Sequence, residues 1–347
     1  MNSIEINQIS VVVTYNCNLQ CKYCFVSNKS NVETIDISTI HKAVDMWNNL
    51  FSGNKQHLKI LFTGGEPLIK KDFILSAINE LEKEYPEISF EYHITTNGLL
   101  LTDDFLLETI KRNIFICVST DGNAISNKER FNETTNHYER IQKNIIAYAE
   151  KLNEKKMRVR MTITPQNVSH FYENVNHFTE LGIKNIHFSP NYEDEWDDNS
   201  IELYFQAYRR LGDYVKDNII IEPYISFCKD GVDKNGPYEH DCSFLPTIST
   251  NGDVFFCPRF AGKQIQKLGN VEKPFEVLLN FRKIVGSIDK IFKKEKISFI
   301  CPSNYLEKNN VVSNFKKFHD NYKKKKNNCF ALKGLAENNL INNSPHI

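Results

Sequence analysis

Three cysteines crowd into eight residues of the stretch TYNCNLQCKYCFV, at Cys17, Cys21 and Cys24, directly after an apolar run. Thiolates separated by three and two residues can converge on one iron-sulfur cluster if the loop wraps around it, and three protein ligands leave one iron of a cubane open to another molecule. Zinc is the structural rival, but it usually draws on two C-x-x-C pairs or a Cys/His mixture, and no fourth ligand lies nearby in sequence. A second group lies far downstream, where Cys242 and Cys257 enclose SFLPTISTNGDVFF. Asn-Gly between alternating apolar runs, with Gly252 at the turn, signals a hairpin that brings the flanking cysteines toward each other across the ladder. Cys228, Cys301 and Cys329 add further thiols, whereas Cys117 lies inside an apolar run and reads as a small buried hydrophobe.

The elements that must position these groups follow a regular rhythm. Short β-branched runs at Ile9–Tyr15, Leu58–Thr63, Ser89–Thr96, Ile114–Thr120, Met157–Thr164 and Lys184–Ser189 alternate with segments of helical period such as DISTIHKAVDMWNNLF and KKDFILSAINELEKEY. Repeated strand-helix units imply parallel strands, either as an open doubly wound sheet or as a barrel-like arc, with functional groups at the carboxyl ends of the strands. The cysteine loop sits at such an end after the first strand, and TGGEP after the second. After Pro190 the rhythm stops at NYEDEWDDN, which reads as a solvated linker, and a helical segment leads into the later cysteines. The organisation expected is a strand-helix domain over 1–190, a linker and bridging helix over 191–219, and a second module over 220–347.

Composition narrows the partners. Lysine plus arginine and aspartate plus glutamate number 43 each, so no global field favours nucleic acid or an anionic membrane. No signal peptide and no long apolar span are evident, which makes a cytoplasmic protein the expectation. There the nine cysteines, an odd number, suit ligation better than a disulfide framework.

The loop Cys17-x3-Cys21-x-Tyr23-Cys24 resembles the C-x3-C-x-aromatic-C loop of radical S-adenosylmethionine (SAM) enzymes. That resemblance implies a 4Fe-4S cluster whose open iron is chelated by S-adenosyl-L-methionine. One-electron reduction then yields methionine and a 5'-deoxyadenosyl radical that abstracts hydrogen from substrate. Gly64-Gly65-Glu66-Pro67 resembles the family motif that receives the cofactor's amino group; two glycines let backbone approach closely, and a glutamate can accept from an ammonium. Thr96, Asn97 and Gly98 in TTNG, with Ser119 and Asp121 in STDG, resemble positions lining the ribose and methionine ends. Arg130, Arg160 and Thr162 are candidates for the cofactor carboxylate. The fold implied is a partial (β/α)6 TIM-like barrel.

Downstream, C-x9-G-x4-C over Cys242, Gly252 and Cys257, with Leu268, Gly269 and Asn270 beyond, is similar to the α+β SPASM or twitch extensions that hold auxiliary clusters. The chain departs from the complete pattern. The reading is one auxiliary 4Fe-4S cluster on Cys228, Cys242, Cys257 and Cys301, with Cys329 as the alternative fourth ligand and zinc as the alternative metal.

Enzymes of this type mostly modify ribosomally made peptides, which makes a precursor peptide the expected substrate and a crosslink, epimerisation or side-chain oxidation the expected outcome. Alternatives are a radical dehydrogenase or mutase on a sugar or nucleotide, and an anaerobic sulfatase-maturing enzyme. The latter carries an acidic residue where Pro258 stands here. A zinc scaffold without activity is the reading of another class. A low-potential donor such as flavodoxin or ferredoxin is implied. The barrel pattern starts close to residue 1, which leaves leader recognition to the core or to a separate partner; the basic run NYKKKKNN near Tyr322 could touch an acidic leader, though a solvated helix end also explains it. Tyr15, Phe25, Tyr92 and His93 are candidate pocket aromatics, and no general acid or base is named.

Overall fold

The computed structural model describes residues 6–26, 29, 31–52, 56–131, 136–153, 155–211, 220–223, 245–263 and 266–295. In chain order these form β1 (Gln8–Thr14), α1 (Ile37–Leu50), β2 (His57–Gly64), α2 (Lys71–Glu84), β3 (Ser89–Thr96), α3 (Asp103–Lys111), β4 (Phe115–Ser119) and α4 (Asn136–Lys151). Then come β5 (Met157–Ile163), α5 (Phe171–Glu180), β6 (Asn185–Pro190), α6 (Asp198–Arg210), β7 (Ile220–Pro223), β8 (Thr247–Ile248), β9 (Asp253–Phe255), β10 (Lys267–Asn270) and α7 (Pro274–Glu295). All six expected strands form, within a residue or two of their expected ends, and the strand-helix alternation is the α/β class that the rhythm predicts.

The chain divides into two compact units, one of residues 1–117 with 242–297 and the other of 118–241 with 298–347. In the first, the strand order is β10-β9-β8-β1-β2-β3. β1 pairs in parallel with β2, and β2 with β3, in a register that sets Val11 beside Phe62 and Phe62 beside Ile94. Alternate residues of β2, Leu58, Ile60 and Phe62, are fully buried, while His57, Lys59 and Leu61 on the opposite face are not. Apolar faces of α1 (Ile40, Val44, Trp47) and α2 (Ile74, Ile78, Leu81) complete the core, as the three-and-four spacing dictates. α3 begins where the Thr102 hydroxyl accepts from the Phe105 N–H, with Asp103 and Asp104 in the first turn to complement the helix dipole.

The Asn-Gly hairpin is present. β8 and β9 pair antiparallel around Gly252, whose φ of +81° is one that glycine adopts freely. Its place was not legible from spacing: β8 pairs in parallel with β1, Ser10 opposite Thr247, so the hairpin extends the strands that carry the cysteine loop. α7 packs on β10, and its Phe281 ring meets Phe51 and Phe256, each at 5.7 Å.

In the second unit, β5-β6-β7 are parallel neighbours. Phe171 meets Phe188 at 4.7 Å and Tyr204 at 5.3 Å, forming an aromatic core between α5, β6 and α6. The stretch expected as a solvated linker has two natures. Glu193 and Glu195 are exposed, but Tyr192 and Trp196 are buried, and the Trp196 indole donates to the Asn191 carbonyl at 2.7 Å. Asp197 then caps α6 by accepting from Ser200 N–H. Cys228, Cys242, Cys301, Cys329 and the lysine run near Tyr322 lie outside the described residues.

Candidate functional site

The cysteine loop leaves β1 at Thr14, whose hydroxyl accepts from the Asn16 N–H at 3.2 Å. Cys17 is half-buried, and its sulfur takes the Leu19 N–H at 3.4 Å. A turn closed from Cys24 N–H to the Cys21 carbonyl, 3.2 Å, presents the other two thiols, also half-buried. Burial, more than any neighbouring charge, pushes the Cys17 thiol up to about 11. Among the described residues no three His, Cys, Asp or Glu side chains are gathered as a closed ligand set. The donor chemistry nevertheless fits a cluster: three sulfurs come from one loop, and a backbone N–H is directed at the first of them.

Gly64 and Gly65 are placed against the root of this loop. A Cβ on Gly64, which has φ +139°, would lie 2.2 Å from the Thr14 carbonyl oxygen. One on Gly65 would lie 2.2 Å from the Tyr15 oxygen and 2.3 Å from that of Asn16. The space is taken by hydrogen bonds: Gly65 N–H donates to the Thr14 carbonyl and Glu66 N–H to that of Asn16, both at 2.8 Å. Only residues without side chains allow two backbones so close.

Glu66 is fully buried, and its carboxylate accepts from Leu68 N–H (3.0 Å), the Thr96 hydroxyl (2.8 Å) and Asn97 N–H (2.7 Å). Pro67 follows as the first residue of a short 3-10 turn over Pro67–Lys70. Asn97 carries the chain of contacts back to the cysteine loop, its amide donating to Asn18 Oδ1 at 2.7 Å and lying 4.0 Å from Cys17 Sγ. Thus Cys17, Gly64, Gly65, Glu66, Thr96 and Asn97 form one connected group within the first unit. Tyr23 is partly exposed on the same loop.

The second unit holds its own group. Asp121 is fully buried, accepts from Thr162 N–H at 2.9 Å, and has the Arg130 guanidinium 3.7 Å away. Arg160 contributes its carbonyl to Thr120 N–H at 3.0 Å. Ser119 ends β4 half-buried. Sequence reasoning overlooked two asparagines here. Asn127 accepts from Asp121 N–H at 3.0 Å and donates to the Gly122 carbonyl at 2.8 Å, and Asn174 accepts from Asn123 N–H at 3.1 Å and donates to Ser126 at 2.7 Å. Asn127 was the more findable, since it lies only five and six residues from the backbone groups it bonds, whereas Asn174 lies 51 and 48 residues from its partners.

The aromatic candidates separate. Tyr15 is buried, its phenol pushed up to about 12 by that burial, and its ring lies against the backbone at Gly262. Tyr92 stacks between Phe62 and Phe90 in the core, and Phe25 is exposed. His93 stacks on Phe115 at 4.6 Å and bonds to Glu91, whose carboxyl this bond holds down near 2. Cys257 is buried at the start of the turn Pro258–Phe260.

Residues 11–203 match the Radical SAM superfamily, and the chain belongs to that superfamily. It is therefore an enzyme of a family built on a 4Fe-4S cluster and S-adenosylmethionine. It is 26% identical over 299 residues to the uncharacterized protein MJ0907 of Methanocaldococcus jannaschii, covering 81% of this chain and 96% of that one. Its fold is that of anSMEcpe with bound AdoMet, at TM-score 0.71 and 16% identity over 98% of this chain and 99% of that one. SuiB of Streptococcus suis, bound to its precursor peptide SuiA, aligns at TM-score 0.58 and 17% identity over 80% of this chain and 65% of that one. These likenesses define the fold, a partial α/β barrel. No helix among the described residues is long and apolar enough to cross a membrane.

Proposed function

We propose that this radical SAM enzyme modifies a ribosomally made peptide, through a crosslink, an epimerisation or a side-chain oxidation. The observation that carries the reading is the hairpin-and-helix extension over 245–295, paired onto β1, in a chain whose fold follows anSMEcpe over 98% of its length. SuiB, of the same fold, is described with its precursor peptide, which supports a peptide substrate here.

Cys17, Cys21 and Cys24 hold the cluster in this reading, and the turns at Gly64–Pro67 and Thr96–Asn97 fix the loop that bears them. When bound, the reduced cluster and S-adenosylmethionine supply a 5'-deoxyadenosyl radical that takes one hydrogen atom from substrate. The chain's own contribution is placement: Gly65 and Glu66 anchor the loop root by backbone bonds, and the buried Thr96–Asn97 turn packs beside Cys17. Ser119, Asp121, Arg130 and Arg160 are assigned to the methionine and ribose ends on the resemblance. Cys257 is assigned to one auxiliary cluster with Cys228, Cys242 and Cys301, Cys329 being the alternative. A flavodoxin or ferredoxin serves as donor, and a separate protein can deliver the peptide leader.

The test is turnover with deuterated precursor peptides encoded beside the gene, under anaerobic conditions with reductant and S-adenosylmethionine. Deuterium arriving in 5'-deoxyadenosine, together with a mass change in the peptide, supports the proposal. Formation of 5'-deoxyadenosine that responds to sugars or nucleotides and ignores every peptide transfers the enzyme to the small-molecule reading.

A further inference from the structure

We infer that Asn97 is a positioning residue that locks the cysteine loop and directs an amide N–H at the Cys17 sulfur, raising the reduction potential of a cluster held there. The inference rests on the reading of Cys17 as a cluster ligand. It assigns to Asn97 a task other than the expected lining of the ribose or methionine end, from the contacts of its side chain with Asn18, Cys17 and Leu99.

Each polar atom of the residue has a distinct task. The backbone N–H reaches a carboxylate oxygen of Glu66 at 2.7 Å. Oδ1 accepts from Leu99 N–H at 3.0 Å, closing the turn and fixing the plane of the amide. Nδ2 then has a single orientation, which is the one that meets Asn18 Oδ1 at 2.7 Å and stands 4.0 Å from Cys17 Sγ, the outer limit of an N–H···S contact. The residue is 7% exposed, so its own end of each bond is shielded, while Asn18 is exposed and Cys17 half-buried. Asn18 follows Cys17 directly, so holding Asn18 holds the first ligand.

The chain of contacts runs from Glu66 through Asn97 to Asn18 and Cys17, while Gly65 and Glu66 grip Thr14 and Asn16 on the other side of the ligand. The loop root is thereby clamped from both flanks of Cys17. Hydrogen bonds to cluster sulfurs stabilise the more electron-rich, reduced state and raise its potential. Leu19 N–H supplies one such bond to Cys17, and the Asn97 amide is placed to supply the second.

The experiment is EPR-monitored redox titration of the reconstituted full chain, with iron content and melting temperature, for wild type, Asn97→Ala and Asn97→Ser. Serine retains an oxygen that can accept from Leu99 N–H but is too short to reach the sulfur. Both variants are expected to bind wild-type iron and to titrate at lower potential, serine with the smaller loss of melting temperature. The shift is about tenfold in the reduction equilibrium, equivalent to about 59 mV for one electron. Unchanged potentials at full iron content overturn the inference, as does loss of iron from a serine variant that melts with wild type. A wild-type chain without any iron-sulfur signal would instead sink the underlying cluster reading.

Discussion

Two buried carboxylates, Glu66 in the first unit and Asp121 in the second, are both fully buried at strand ends, and they are satisfied in different ways. Glu66 accepts three neutral donors, two of them backbone N–H groups, and ties its own turn to the Thr96–Asn97 turn. Asp121 accepts one backbone N–H of β5 and stands 3.7 Å from a guanidinium that is itself 5% exposed. A carboxylate held by amides fixes backbone geometry, whereas one held beside a buried cation also offsets that cation's charge. The same residue chemistry therefore does positioning in one unit and charge compensation in the other.

The comparison can be broken most sharply at its backbone end. Gly65→Ala puts a methyl 2.2 Å from one carbonyl oxygen and 2.3 Å from another, neither of which can rotate away. We expect a loss of about 4 kcal/mol or more in urea unfolding, with loss of bound iron, because backbone overlap has no inexpensive relaxation. Wild-type stability in this variant would mean that the cysteine loop is not gripped by the glycine turn at all.

Next come the two isosteres. Asp121→Asn leaves Arg130 facing a neutral group and is expected to cost about 3 kcal/mol. Glu66→Gln should cost about 2 kcal/mol, since either orientation of the amide sets an N–H against a backbone N–H, that of Leu68 or that of Asn97. Equal or reversed losses, read by chemical denaturation at pH 7, would remove the distinction between the two sites.

The smallest expected effect lies outside both. Glu91, bonded to His93 and near His57 and Lys59, has its carboxyl lowered from the ordinary 4.5 to about 2. A depressed carboxylate stabilises the fold fully above its ordinary value, and that stabilisation is lost as pH falls toward 2. Glu91→Gln should flatten the acid limb of the stability profile between those values, by less than about 1 kcal/mol because the carboxylate is half-exposed and screened. An unchanged acid limb would show that the His93 bond contributes nothing.

Much of this was written in local sequence. Cys17, Cys21 and Cys24 announce themselves by spacing, GGEP by two glycines before a carboxylate, and the hairpin by Asn251-Gly252, because each depends on neighbours within a few residues. The strands were legible because short β-branched runs recur between longer segments of helical period. What was not legible depended on distant partners. Glu66 reads as a free acceptor until Thr96 and Asn97, 30 and 31 residues away, are seen on its oxygens. Tyr92 reads as a pocket aromatic until Phe62 and Phe90 enclose it. Likewise, Tyr192 and Trp196 vanish into an acidic context that reads as wholly solvated until their burial is known.

By itself, then, the sequence determined the local chemistry: which thiols share one loop and which glycines and turns follow the strands, since spacing and turn conformation are short-range constraints. Only the tertiary structure decided what those residues do for one another. Parallel pairing of β1 with β2 and β8 brings the glycine turn under the cysteine loop and the hairpin beside it. Two adjacent glycines permit close backbone approach, but which segment approaches them is a property of parts that chain order keeps apart, and no local pattern can express it.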